Sequence, residues 1–266
     1  MIDFASQTVL VTGASSGIGR EFAHALARRG SALVLVARRA DRLHVLADRL
    51  SAQHSVQVVP LVADLAQPNS PTRLHEALAA QGVQVTSLVN AAGFGTWGPF
   101  LEEDADRVEQ EIAVDVSAPV RLARTFLPDL VRAGDGFLVN VASMAAYTPT
   151  PRMAVYGAAK AFVLSFTESL WAELRGTGLT VFALSPGATA TEFNSVVGTD
   201  NATAGARMRS PEDVVATAIA HLERRNPGPS VIDGRLNRVA SFGTRLASRR
   251  QVVTALHRLT DPDRRR

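Results

Sequence analysis

Thr8-Val9-Leu10-Val11-Thr12-Gly13-Ala14-Ser15-Ser16-Gly17-Ile18-Gly19 decides how the rest of the chain is read. Its five apolar or β-branched residues predict a short buried strand. Three glycines spaced Gly-x3-Gly-x-Gly follow at once, and then helical spacing over residues 17–29. Glycine lets the backbone turn tightly, and amides at a helix N-terminus favour a phosphate anion. The spacing is not the Gly-x-Gly-x2-Gly of the generic dinucleotide turn, so the strand before it and the helix after it carry the inference. On its own the motif also fits an ordinary glycine-rich turn.

Outward from this stretch the same alternation repeats. Residues 31–37 (SALVLVA) form a continuous apolar run, the pattern of a strand covered on both faces of a parallel sheet. Further strands are expected at 56–62, 85–90, 137–141, 180–184 and 230–232, with helices at 40–53, 71–81, 102–132, 154–174 and 211–224. In the long helix 102–132, Pro119 is expected to kink the backbone and Pro128 to end it. Repeated βαβ units predict an α/β fold: a doubly wound, Rossmann-type parallel sheet with helices on both faces. The expected organisation is one domain over 1–234 and a short basic tail over 235–266.

Composition narrows the function classes. The chain has 266 residues, 46% apolar and 20% charged, which excludes intrinsic disorder and suits one hydrophobic core. Cysteine is absent, removing disulfides, thiolate metal sites and thiol nucleophiles; no metal is expected. Apolar runs stay near seven residues, far short of the roughly 20 that cross a bilayer, and no basic-then-apolar leader opens the chain. A cytoplasmic location is expected. The net charge of +3 is uneven: residues 235–266 hold nine arginines against two aspartates, a local +7 that leaves −4 for the remainder. Tail charge alone is weak ground for nucleic-acid binding, and no nucleic-acid partner is expected.

Of the 28 basic residues, Lys160 is the only lysine, and tyrosine occurs only at 147 and 156. The sole lysine thus stands four residues after one of two tyrosines, so Tyr156 and Lys160 share a helical face. A phenol titrates near pH ~10, too high for acid–base work at neutrality, and an adjacent ammonium favours its ionised form. Upstream, a strand ends at Ser143. At the end of the second strand, where a carboxylate would bind ribose hydroxyls, the sequence reads Ala37-Arg38-Arg39. Two guanidiniums and no acid there favour a 2′-phosphate, hence NADP.

These features together resemble the classical short-chain dehydrogenase/reductase (SDR) family, over Thr8 to Ile232. The resemblance rests on the glycine loop, Asp64-Leu65, Asn90-Ala91-Ala92-Gly93, Ser143, Tyr156, Lys160, and Ser185-Pro186-Gly187 followed by Thr191. It implies a cofactor site in which Ser15, Ser16, Gly17, Ile18 and Gly19 cradle the pyrophosphate. Asp64 would meet the adenine with Leu65 beside it, Asn90, Ala91 and Gly93 would shape the floor, and Pro186, Gly187 and Thr191 would close over the nicotinamide. It further implies that Ser143 holds the substrate oxygen, that Tyr156 is the acid/base, and that Lys160 binds the ribose and lowers the tyrosine pKa. One position departs: Asp115 stands where the family carries an asparagine, and a carboxylate there opposes the lysine by favouring neutral tyrosine. A non-catalytic nucleotide-binding regulator is the alternative this departure leaves open. The family also implies a homodimer or homotetramer through helices 102–132 and 154–174.

Substrate loops are expected at 94–100, 144–153 and 188–210. Phe94, Trp97, Phe100, Met144, Tyr147, Met153 and Phe193 would form an apolar wall suited to a hydrophobic carbonyl or alcohol. In the tail, Val239, Phe242, Leu246, Val253 and Leu256 fall on one helical stripe, interrupted by Arg249 and weakened at Gly243. A weak membrane-surface contact, a subunit contact and a solvated basic arm all fit it.

Overall fold

The computed structural model describes residues 2–199, 207–244 and 247–260. Seven parallel strands form one sheet in the order β3-β2-β1-β4-β5-β6-β7. They are β1 Thr8–Thr12, β2 Ala32–Ala37, β3 Val58–Val62, β4 Ser87–Asn90, β5 Phe137–Val141, β6 Thr180–Ser185 and β7 Ser230–Ile232. The expected doubly wound architecture is observed. Strand order reverses between β1 and β4, and a doubly wound sheet opens a crevice at the carboxyl ends of such neighbours.

Two apolar layers cover the sheet. On one face lie α1 Gly17–Ala27, α2 Ala40–His54 and α8 Pro211–Leu222, packed through Phe22, Leu26, Leu43 and Val215. On the other lie α3 Ser70–Ala80, α5 Ala118–Ala133 and α6 Ala154–Glu173, packed through Leu74, Leu122, Phe126 and Leu130. Each buried leucine or phenylalanine removes enough apolar surface to contribute about 1.5–3 kcal/mol relative to exposure. The first helix docks tightly onto β1 because Gly19 has no side chain: a Cβ there would lie 2.5 Å from the Gly13 carbonyl oxygen.

The expected long helix 102–132 instead starts at Ala105 and changes its winding part-way. A short 3-10 turn at Phe100–Glu102 precedes α4 Ala105–Ile112, whose N-cap Asp104 accepts from the Arg107 N–H. Residues Ala113–Ser117 then form a π turn before α5 begins. Pro119 has no N–H for the Asp115 carbonyl, and Ala118 donates to the Ala113 carbonyl instead, so the wider turn absorbs the missing bond. Pro128 does not end the helix. Leu122, Phe126 and Leu130 bury one face of α5 past it, and the helix stops at Gly134, in the left-handed region at φ +81°.

The tail also differs from its expected single stripe. It forms α9 Arg235–Gly243 and α10 Arg249–Leu259, so Gly243 closes one helix and Arg249 begins another. Ser248 caps α10 in a reciprocal pair with Gln251. Leu246 lies outside the described residues. The short α7 Phe193–Val197 sits in the loop after β6. No helix among the described residues is long and apolar enough to cross a membrane.

Candidate active site

A cleft of about 620 Å³ opens over the carboxyl ends of β1, β4, β5 and β6. Gly13, Ser15, Ser16, Gly17, Ile18 and Gly19 form one wall. Gly13 and Gly17 adopt positive φ (+66° and +54°), and a Cβ on Gly13 would lie 2.9 Å from the Ala92 Cα. The loop is therefore closed to side chains where a pyrophosphate must meet backbone amides. Thr12 holds the facing loop, its Oγ1 accepting from the Ala91 and Ala92 N–H groups at 3.0 and 3.1 Å. Arg38, Arg39, Asp64, Leu65, Ala91, Gly93, Pro186, Gly187 and Thr191 reach the same cleft. This donor-rich, glycine-lined groove with a basic rim fits a dinucleotide carrying an added phosphate.

Asn90 does not reach the cleft. Its side chain turns into the core, donating to Asn140 Oδ1 at 2.8 Å; Asn140 in turn donates to Thr167 Oγ1 at 2.8 Å. The asparagine ties β4 through β5 to α6, and the floor is left to Ala91, Ala92 and Gly93. Phe100 likewise is not part of the wall: it stands 62% exposed on the 3-10 turn. Phe94, Trp97, Met144, Tyr147, Met153 and Phe193 do line the cleft.

Ser143, Tyr156 and Lys160 converge at the cleft floor. Ser143, two residues past β5, is in extended backbone and caps the turn Met144–Tyr147 by accepting from the Ala145 N–H at 3.1 Å. Its side chain also favours the ionised form of Tyr156. One turn along α6, Lys160 Nζ lies 5.5 Å from the Tyr156 ring centroid and 3.3 Å from the Val141 carbonyl oxygen. Tyr147 lines the same cleft with its hydroxyl 3.3 Å from Ser185 Oγ.

Asp115 sits behind Lys160 rather than in the cleft. Its Oδ2 is 2.9 Å from Lys160 Nζ, with the two side chains 0% and 7% exposed, and its Oδ1 accepts from the Phe94 N–H at 3.0 Å. Gly93 makes room for this pair, since a Cβ there would lie 3.0 Å from both charged atoms. Burial pushes the Asp115 carboxyl up, against the lysine and the Phe94 amide, which favour its ionised form. Burial pulls Lys160 down, but Asp115, with help from Tyr156 and Glu111, more than offsets this, so its pKa rises. A carboxylate held by two donors against a retained ammonium is an ion pair.

The tyrosine behaves differently from expectation. Lys160 and Ser143 do favour its phenolate, but burial opposes them and wins, assisted by Asp115 and Glu111. The Tyr156 pKa therefore lies above the ordinary phenol value.

Three features escaped the sequence reading. Glu111, one turn before Asp115, is fully buried, and its Oε2 accepts from Thr96 N–H and Oγ at 3.0 and 2.8 Å. Desolvation raises its carboxyl to about 7, partly opposed by the Thr96 bonds and supported by Asp115. Its i, i+4 spacing to Asp115 was the available signal. The tail helices contribute Asn237, Ala240, Ser241, Thr244 and Leu256 to the cleft. Finally, Glu192 bridges Arg39 and Arg42 across the cleft mouth, each at 2.6 Å.

The chain as a whole has known relatives. A family model described as short chain dehydrogenase matches residues 7–202. The chain belongs to the short-chain dehydrogenase/reductase family. Sulfoacetaldehyde reductase 2 of Chromohalobacter salexigens is 36% identical over 221 residues, 82% of this chain and 86% of that protein. A short chain dehydrogenase of Pseudocercospora fijiensis is 34% identical over 217 residues, 81% of this chain but 65% of the fungal protein's length. Among solved structures, an SDR from Sphingobium yanoikuyae in complex with NADPH superposes with a TM-score of 0.80 at 36% identity, covering 90% of this chain and 93% of that one. The bulky-bulky ketone specific alcohol dehydrogenase of Comamonas testosteroni gives 0.75 at 31% identity, with the same coverage. The family match ends at residue 202, before α8, β7 and the two tail helices.

Proposed function

We propose that this SDR is an NADP(H)-dependent oxidoreductase interconverting a secondary alcohol and a carbonyl on an apolar small molecule. The observation that carries the reading is the Ser143–Tyr156–Lys160 cluster on the floor of a glycine-lined cleft with an arginine rim. A solved relative at 36% identity holds NADPH, which supports the cofactor assignment. When bound, the nicotinamide supplies or accepts the hydride. The chain's own residues do the rest. Ser15, Ser16, Gly17 and Ile18 offer donors to the pyrophosphate, Asp64 and Leu65 border the adenine end, and Pro186, Gly187 and Thr191 border the nicotinamide end.

In reduction, Ser143 positions the carbonyl oxygen and Tyr156 donates the proton; in oxidation the phenolate takes it back. Lys160 opposes the upward push of burial on the phenol, and Asp115 fixes the ammonium in place. An ion pair so fully built favours a working enzyme over a cofactor-binding regulator. Trp97, Met144, Met153, Phe193 and Leu256 give the substrate end its apolar character. Ile112 and Phe162, each 42% exposed on α4 and α6, support a homo-oligomer formed through these helices. Leu236, Val239 and Phe242 on the outer face of α9, flanked by Arg235 and Arg238, support weak contact with an anionic membrane surface. Flotation on anionic vesicles with and without residues 235–266 tests that contact, and equal flotation removes it.

The decisive experiment is a panel of apolar ketones and alcohols followed at the nicotinamide absorbance with NADPH and NADH. Tyr156→Phe should lose at least about 100-fold in turnover while still binding NADPH. Turnover with NADH equal to that with NADPH would sink the cofactor assignment.

A further inference from the structure

The rim arginines already hold an anion, and it is one of the chain's own. Arg39 donates from Nε and Nη2 to Ser15 Oγ at 3.1 and 2.9 Å and from Nη2 to Ser16 Oγ at 2.8 Å. Its remaining terminal nitrogen, Nη1, donates to Glu192 Oε2 at 2.6 Å. Arg42, one turn along α2, donates to the other oxygen, Glu192 Oε1, at 2.6 Å. A single carboxylate is thus seated between two guanidiniums, beside two hydroxyls of the glycine loop. Charge-assisted bonds of this kind are the ones a phosphate monoester makes with arginine.

Glu192 belongs to the loop that follows β6. Thr191 before it faces Gly17, which a Cβ would bring within 3.1 Å of Thr191 Cγ2. Phe193 after it begins α7 and packs on the acid/base residue, with its ring centroid 5.2 Å from that of Tyr156. Whatever holds Glu192 therefore also holds an aromatic side chain over Tyr156.

From this geometry we infer that Glu192 is a built-in surrogate for the cofactor's 2′-phosphate. It pairs with Arg39 and Arg42 in competition with that phosphate, whose binding displaces it and releases the loop that carries Phe193. The proposal rests on the NADP reading above and adds to it a competitor and a coupling. A phosphate monoester carries about −1.5 to −2 charges at neutral pH against −1 for a carboxylate, so it wins the exchange. A nucleotide without that group leaves Glu192 seated. The chain then distinguishes the two cofactors twice: by the arginines that attract the phosphate, and by a loop that only the phosphate frees.

Calorimetric titration of the whole protein with 2′,5′-ADP and with 5′-ADP tests this without any turnover, alongside hydrogen exchange of residues 193–197. Glu192→Gln keeps the shape of a half-exposed side chain and removes the competing charge. The variant should bind 2′,5′-ADP about three- to tenfold more tightly than wild type, the range expected for losing exposed ion pairs, with 5′-ADP unchanged. In wild type, saturating 2′,5′-ADP should speed exchange at 193–197, and 5′-ADP at equal occupancy should not. A wild-type preference for 2′,5′-ADP that Glu192→Gln leaves unaltered, or an equal change for both nucleotides, overturns the surrogate alone. So does loop exchange that ignores the extra phosphate. Equal wild-type affinities for the two nucleotides overturn the NADP reading and the surrogate with it.

Discussion

Asp115 is a carboxylate at the position where the family resemblance implies an asparagine. Asp115 adds a negative charge 2.9 Å from the lysine and pushes the Tyr156 phenol in the direction of its neutral form. Replacing it by asparagine removes that push while keeping an oxygen to accept from the Phe94 N–H. For alcohol oxidation, which needs the phenolate, the rising limb of the pH profile of kcat/KM should move to lower pH in Asp115→Asn. A profile that stays in place would remove Asp115 from the proton economy. Residues such as Ser143, Tyr156 and Lys160 were readable from the sequence because a strand end and one helical turn fix their relations locally. The net rise of the tyrosine pKa was not, because it depends on how completely α6 and the loops exclude water. The Arg39–Glu192 contact was invisible for a plainer reason: 153 residues separate the partners.

At the scale of elements, the π turn is where local rules gave way. Strand bounds such as Thr8–Thr12, Phe137–Val141 and Ser230–Ile232 follow directly from apolar runs closed by turn residues. A proline in a helical pattern gives no such certainty: Pro119 widened its turn, whereas tertiary packing carried α5 straight through Pro128. The wide turn brings two acids, Glu111 and Asp115, into the protein together. Glu111 titrates at about 7 in the folded chain against 4.5 for an ordinary glutamate, so the folded state holds this proton more tightly than the unfolded one. Its contribution to stability is complete below pH about 4.5 and is lost as pH rises through about 7; above that, the buried charge costs on the order of 3 kcal/mol. Glu111→Gln, which keeps an acceptor for Thr96, should therefore be more stable than wild type near pH 8.5 and much less changed near pH 5. Urea midpoints at the two pH values measure it.

For the molecule as a whole, the tail proves to be part of the cleft. Composition set it apart as a basic arm. Its structural role stayed hidden because the side chains it sends inward, Asn237, Ala240 and Ser241, carry no motif. Asn237 is anchored by donating to the Asp233 carbonyl at 2.7 Å and lies against Gly187, where a Cβ would come within 2.3 Å of its Nδ2. Truncation before Arg235 leaves all seven strands intact, so the far-UV spectrum should survive while KM for apolar ketones rises several-fold. An unchanged KM would return the tail to the role of a solvated arm. A last consequence follows from the lone lysine. An endoproteinase that cuts only after lysine has a single bond to attack in all 266 residues, and that bond lies inside α6 beside a residue 5% exposed. Digestion can give two fragments and no others, and only when α6 unwinds. The rate of that one cut is a clock for the opening of the active site, and any nucleotide that settles in the cleft should slow it.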